Sequence, residues 1–126
     1  MATKDFNTAT LTPKLVQYQV TSANTVSTVY QVPAGRCFKA ESLIICSRHT
    51  ASLVIHVYVT PSSGGVAGTP ADLNKIISSY SLAANETLSL RSIAKGLMLG
   101  ELDTISIYVT GTASVVTVSL SGVEGA

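Results

Sequence analysis

The residues able to do chemistry are few and far apart. His49 sits in a turn-like SRHT stretch, and His56 lies on the less apolar face of the run SLVIHVYVT. Neither has a second His or Cys at ligand spacing, so no zinc site is expected. The seven acids, Asp5, Glu41, Asp72, Glu86, Glu101, Asp103 and Glu124, are scattered, and only Glu101 and Asp103 lie close in sequence. A calcium loop needs about six oxygens and a denser acidic run. Two carboxylates suffice for glycoside hydrolysis, but there is no Trp on which a sugar would stack. Neither a G-x-S-x-G elbow nor a His-bearing triad signature is present. The Gly-rich stretch SSGGVAG (62–68) lacks the following Lys-Ser/Thr and precedes no clear helix, so it reads as a loop and not as a phosphate cradle. Asn85-Glu86-Thr87 fits the glycosylation acceptor pattern, but without a secretory signal it reads as a turn. Cys37 and Cys46 fall on one strand-like run at odd spacing, which puts them on opposite faces of a regular strand and about 30 Å apart. That excludes a disulfide between them and predicts buried free thiols in a reducing compartment. An enzyme is not expected, nor is a metal or a cofactor.

The elements around these residues are strands. Leu53, Ile55, Val57 and Val59 alternate with Val54, His56, Tyr58 and Thr60. Ile105, Ile107 and Val109 share a face, as do Val116, Val118 and Leu120. This period of two marks strands with one buried face. TVSTVYQV places Val26, Thr28, Tyr30 and Val32 on one side. KLVQYQV is weaker, with Leu15 beside Gln17 on one face and Val16, Tyr18 and Val20 on the other. In SLIICS, Leu43, Ile44 and Ile45 are consecutive, so one of the two apolar faces meets a second layer or a partner. LNKIISSYSL fits a helical turn or a strand, and its Ile, Ser and Tyr favour the strand. TLSLRS and KGLML complete the set.

Turn residues punctuate these runs at TSAN, PAG, SRHT, PSSGGVAGTPAD, AANE, GELD and TGTA. In "YQVPAGRCF" Pro33 ends a strand and Gly35 supplies a positive φ for the corner. Seven to nine short strands at this spacing predict an all-β chain, an antiparallel β-sandwich of jelly-roll type. One domain fits 126 residues,. It is expected over 14–126, preceded by an extended or flexible, Thr-rich arm over 1–13.

Charged residues make up only 12%, about half the usual ~25%. Such a surface is weakly protected against association, which suggests that much of it meets other protein. Net charge is +1 and the basic residues are dispersed, so nucleic acid is not an expected partner. No apolar run reaches the ~18 residues of a membrane helix. The polar start MATKDFNTATLTPK shows no signal peptide. The expected place of synthesis is a cytoplasm, left only within an assembly.

The order of segments resembles a pattern in small tailed-bacteriophage virion proteins. Its pieces are Tyr30 to Gly35 within VYQVPAGRCFKAESLIIC, Leu53 to Thr60, Glu86 to Leu90 within ETLSL, and Gly96 to Glu124. About three quarters of the chain is covered. LGELDT departs from the Gly-Asp more usual before that strand, which affects only the turn. The resemblance implies a jelly-roll virion component without catalytic residues. The expected role is a capsid decoration or cement protein, made in the host bacterial cytoplasm and bound to the major capsid protein of the assembled shell, with a homotrimer favoured. A tail, neck, baseplate or fibre component is the alternative within the virion. A carbohydrate-binding jelly roll is the alternative of another class. Two contact surfaces are expected: the arm, with Thr3, Phe6 and Leu11, and a second apolar face with Ile44, Val54, His56 and Tyr58.

Overall fold

The computed structural model of the protein describes residues 11–111 and 115–125. In chain order the strands are β1 (Leu11–Gln19), β2 (Val26–Gln31), β3 (Cys37–Ser47), β4 (Leu53–Thr60), β5 (Lys75–Leu82), β6 (Thr87–Ser89), β7 (Met98–Leu99), β8 (Thr104–Val109) and β9 (Val116–Gly125). A 3-10 turn, Asp72–Asn74, precedes β5, and one helical turn, α1 (Arg91–Ala94), follows β6. Sheet A has the order β1-β9-β3-β6, with β7 beside the other end of β3. Sheet B has the order β2-β8-β4-β5. All pairings are antiparallel. The pairs are nested: β1 with β9, β2 with β8, β3 with β6, β4 with β5. The chain is thus one long hairpin rolled over on itself, the jelly-roll arrangement.

The inner faces carry the alternating apolar residues. Val16, Tyr18 and Val20 of the β1 segment meet the core, with Val116, Val118 and Leu120 of β9 beside them. Ile55 and Val57 of β4 lie next to Val109 and Ile107 of β8. Phe38 is the largest fully buried side chain, and its ring centroid lies 5.0 Å from that of Tyr30. Each such side chain stabilises by roughly 1.5–3 kcal/mol when taken from water.

Three irregularities re-aim side chains. In β3 the register shifts between Ala40 and Ser42. Phe38 and Ala40 point inward before the shift, Leu43 and Ile45 after it, and all four are buried. The extra residue, Glu41, reverses the parity. Cys37 and Cys46 therefore share the outer face of β3, not opposite faces as a regular strand requires. In β2 the shift between Thr28 and Tyr30 separates exposed Val26 and Thr28 from buried Tyr30 and Val32, so these four do not share a side. In β5 the register against β4 breaks around Ser79, whose φ is 56°.

The weaker runs are shorter than their sequences suggest. TLSLRS yields only Thr87–Ser89 before turning into α1, and KGLML yields only Met98–Leu99. LNKIISSYSL is a strand from Lys75 on. Leu11–Pro13, placed in the arm by sequence, are the first residues of β1 and pair with Gly125, Glu124 and Val123. Residues 1–10, including Thr3 and Phe6, lie outside the described residues.

Candidate functional site

The two outer faces differ in what covers them. On sheet B the outward residues of β4 are Val54, His56, Tyr58 and Thr60, alternating with the core residues Ile55 and Val57. The His56 ring lies 5.4 Å from Tyr108 and 6.5 Å from Tyr58, and Lys75 Nζ sits 5.9 Å from the Tyr58 ring centre. Tyr58 is consequently buried although it faces out. The loop after β4 doubles back, so that a Cβ on Gly68 would strike Thr60 and the Pro61 carbonyl. Thr60, Thr104 and Ser106 on this face are buried too. The molecule thus covers much of this face with its own side chains and loop.

His56 has a structural task there. The bulged Ser79 donates its backbone N–H to His56 Nδ1 at 2.8 Å. Burial first, and the Lys75 charge second, push the His56 pKa below its ordinary value, against a smaller opposing pull from Asp72. The neutral ring accepts the Ser79 bond; a ring protonated on both nitrogens has no acceptor to offer.

Sheet A presents the opposite case. Register places Leu11, Leu15 and Val123 outward, with Lys39 opposite Val123 and Met98 opposite Lys39. Leu15 is 65% exposed, Met98 64% and Leu11 50%, unusual values for large apolar side chains on strands. Between Leu11, Val123, Met98, Lys39 and Glu41 the surface sinks into a hollow of about 300 Å³. Glu41, two residues after Lys39, shares its side of β3, and the two charges stand 3.9 Å apart, both well exposed. Farther along β3, Ile44 is exposed on this same face beside Ser119 and Ser89.

Beneath the hollow a buried carboxylate ties the sheets together. Glu124, on the inner side of β9, accepts a hydrogen bond from the Tyr30 hydroxyl at 2.5 Å, one from Arg36 at 2.8 Å and one from Lys14 at 3.2 Å. Lys14 Nζ also lies 5.3 Å from the Tyr30 ring centre. Burial disfavours the charged carboxylate, yet the Tyr30, Arg36 and Lys14 bonds outweigh it and hold its pKa below the ordinary value. Burial, then the bond and charge of Glu124, push the Tyr30 phenol upward. Every polar partner of this carboxylate is structural, so the cluster is a clasp. It fixes β1, β2 and the corner to β9.

The corner is the turn Pro33–Arg36, closed by the Arg36 N–H donating to the Pro33 carbonyl, with Gly35 at φ 75°. Its neighbour Arg36 supplies one arm of the clasp. Among the described residues no group of three or more His, Cys, Asp or Glu could hold a metal ion.

The four residues expected on one second apolar face are divided between the two sheets, and Leu11, expected in the arm, lies on β1. Ile44 and Leu11 lie on the outer face of sheet A, whereas Val54, His56 and Tyr58 lie on the outer face of sheet B. Sequence reasoning missed Leu15, Lys39, Glu41, Met98 and Val123. The signal for Leu15 was its isolation among outward Gln17 and Gln19. For Lys39 and Glu41 the spacing of two implied a shared face, but nothing in it placed that face beside Met98 and Val123.

No protein-family model matches the chain, and no curated protein does. Among solved structures it is similar to a subunit of the disulfide-linked pili of Bacillus endospore appendages, at 17% identity and a TM-score of 0.47, covering 99% of this chain and 95% of that one. It is also similar to infectious bursal disease virus proteins. In the T13 particle the identity is 9% and the TM-score 0.47, over 91% of this chain. In the T=1 particles they are 10% and 0.45, over 94%. The match spans only 31% of each viral chain. At these scores none of the likenesses carries a functional assignment.

Proposed function

We propose that this chain is a bacteriophage virion structural protein, a decoration subunit that binds the assembled capsid shell and stabilises it, without catalytic activity. The observation that carries the reading is the outer face of sheet A. It exposes Leu11, Leu15, Ile44 and Met98 on a chain with only 12% charged residues. Interface centres are depleted in charge, and Leu11, Met98 and Val123 come together around one hollow of this face. The segment pattern around Tyr30–Gly35 and Gly96–Glu124 supports the virion assignment by resemblance. Binding only to the closed shell stabilises that shell by mass action. A trimer lets one patch serve every copy through closed symmetry.

The sugar-binding alternative needs exposed aromatic platforms. Tyr30 and Tyr58 are buried, Tyr18 and Tyr80 pack against the core, and of the tyrosines only Tyr108, half-buried with its ring 5.4 Å from His56, is left to serve, which gives this alternative little support. Antibody raised against the protein tests the reading on purified phage particles by immunogold microscopy. Label on the shell is expected. Label confined to tails, or absent from particles, overturns the decoration role.

A further inference from the structure

Sheet B hides a polar pocket at the end where β4 leaves it and β8 enters. Thr60 and Thr104 are direct cross-strand partners there, and Ser106 follows two residues along the same outward face of β8,. These residues are 2%, 4% and 0% exposed, and their hydroxyl oxygens have no hydrogen-bond partner. Glu101, three residues before Thr104, has both carboxylate oxygens buried and equally unpartnered. Among the described residues, every buried side-chain oxygen or nitrogen without a partner belongs to these four. Native interiors leave few such groups, and a bare carboxylate is the most costly of them.

The chain draws the four residues to one end of the sheet. Ser62, two residues past Thr60, donates its hydroxyl to the Glu101 carbonyl at 3.1 Å and its N–H to Asp103 Oδ1 at 2.8 Å. The end of β4 is thereby tied to the turn that carries Glu101. Gly68 closes over the same end, where a Cβ would strike the Thr60 methyl. Asp103 is already engaged, because its second oxygen accepts the Gly100 N–H. No side-chain cation serves Glu101 either: the ion pairs of the described residues join Lys14 and Arg36 to Glu124, Lys39 to Glu41 and Lys75 to Asp72.

We infer that Glu101, Thr60, Thr104 and Ser106 bind a monovalent metal cation, sodium or potassium, beneath the segment 61–71. The donors are hard oxygens, which do not select zinc or copper, and each hydroxyl can turn a lone pair to the ion. One carboxylate supplies one negative charge, which a monovalent ion cancels. A calcium ion would leave a surplus positive charge, and it takes about 6–8 oxygens, against the five here. Bound there, the ion pins the connection between β4 and β5 to the outer face of sheet B. The site lies on the sheet opposite the exposed apolar face and is independent of shell binding.

The test uses the full-length protein, exchanged into choline chloride. Calorimetry then compares melts in choline, sodium, potassium and calcium chlorides at equal ionic strength. Tm is expected to rise in sodium or in potassium, and to keep rising with its concentration as mass action requires. The ion with the larger shift is the ligand. Glu101→Gln keeps the shape and removes the charge, and its Tm is expected to be the same in all four salts. Thr104→Val removes one hydroxyl and is expected to raise the half-saturating concentration about tenfold or more. Should Glu101→Gln not fold, Thr104→Val carries the comparison. Equal wild-type Tm in choline, sodium and potassium overturns the inference, and means that Glu101 is protonated or holds only water. A sodium or potassium shift that survives both substitutions overturns it too, as does a response to calcium alone.

Discussion

At the scale of single residues, Glu124 concentrates the electrostatics. Its carboxylate is almost fully buried, and three side chains from β1, β2 and the corner converge on it. Replacing it by Gln keeps the shape and removes the charge. Glu124→Gln is expected to cost about 1–3 kcal/mol near neutral pH, since hydrogen bonds to charged groups are worth about that much. The sign of the pH dependence follows from its lowered pKa. The stabilisation is present above the unfolded carboxylate value near ~4.3 and fades as pH falls through the folded value. Urea melts of both proteins check this: the gap should be open at pH 7 and narrow in acid. His56 gives the second residue-scale prediction. An NMR titration should place its midpoint below the ordinary ~6.5, because burial and Lys75 oppose its charge. The protein should therefore lose some stability as pH falls through that region, where the unfolded chain takes up the proton first.

At the scale of elements, two glycines distinguish turn chemistry from close packing. Gly35 has φ 75° and open space where a Cβ would stand. Gly35→Ala pays only for the left-handed backbone, about 1 kcal/mol, a shift of a few degrees in Tm. Gly122 lies opposite Ala40 in the β3–β9 ladder, and a Cβ there would overlap the Lys39 carbonyl and the Phe38 ring. Gly122→Ala should therefore destabilise by more, in the 1–3 kcal/mol range of overpacked cores. Differential scanning calorimetry ranks the two; equal losses would contradict the packing argument. The same contrast explains what was readable in advance. Strands with a strict period of two, such as those around Ile105–Val109 and Val116–Leu120, were legible because one face alone is apolar. The corner was legible because Pro33 and Gly35 have few conformational options. The bulges at Glu41, Val29 and Ser79 were not legible. No residue type there demands an extra residue, and register is settled by the partner strand.

For the whole molecule, the decisive asymmetry lies between the two outer faces. Sheet B draws Lys75, the loop after β4 and its own tyrosines over the outward residues of β4, with Val26 open at its edge and Val66 and Leu73 open in that connecting segment, whereas sheet A leaves Leu11, Leu15 and Met98 in the open on its strands. That asymmetry was hidden in the sequence, where His56 and Tyr58 looked as available as Ile44. Outward position is a matter of parity, but coverage depends on a loop whose path composition does not specify. Under the proposed function, the binding task falls to sheet A. Co-sedimentation of the purified protein with assembled phage shells tests that claim most directly, comparing the wild type with Leu15→Asp/Met98→Asp. Both substitutions sit at exposed positions, so Tm should stay within about 0.5 kcal/mol equivalent of the wild type, as surface changes do. The account predicts that the wild type pellets with the shells and the double variant remains in the supernatant. Equal pelleting of the two proteins, at matched Tm, would contradict it.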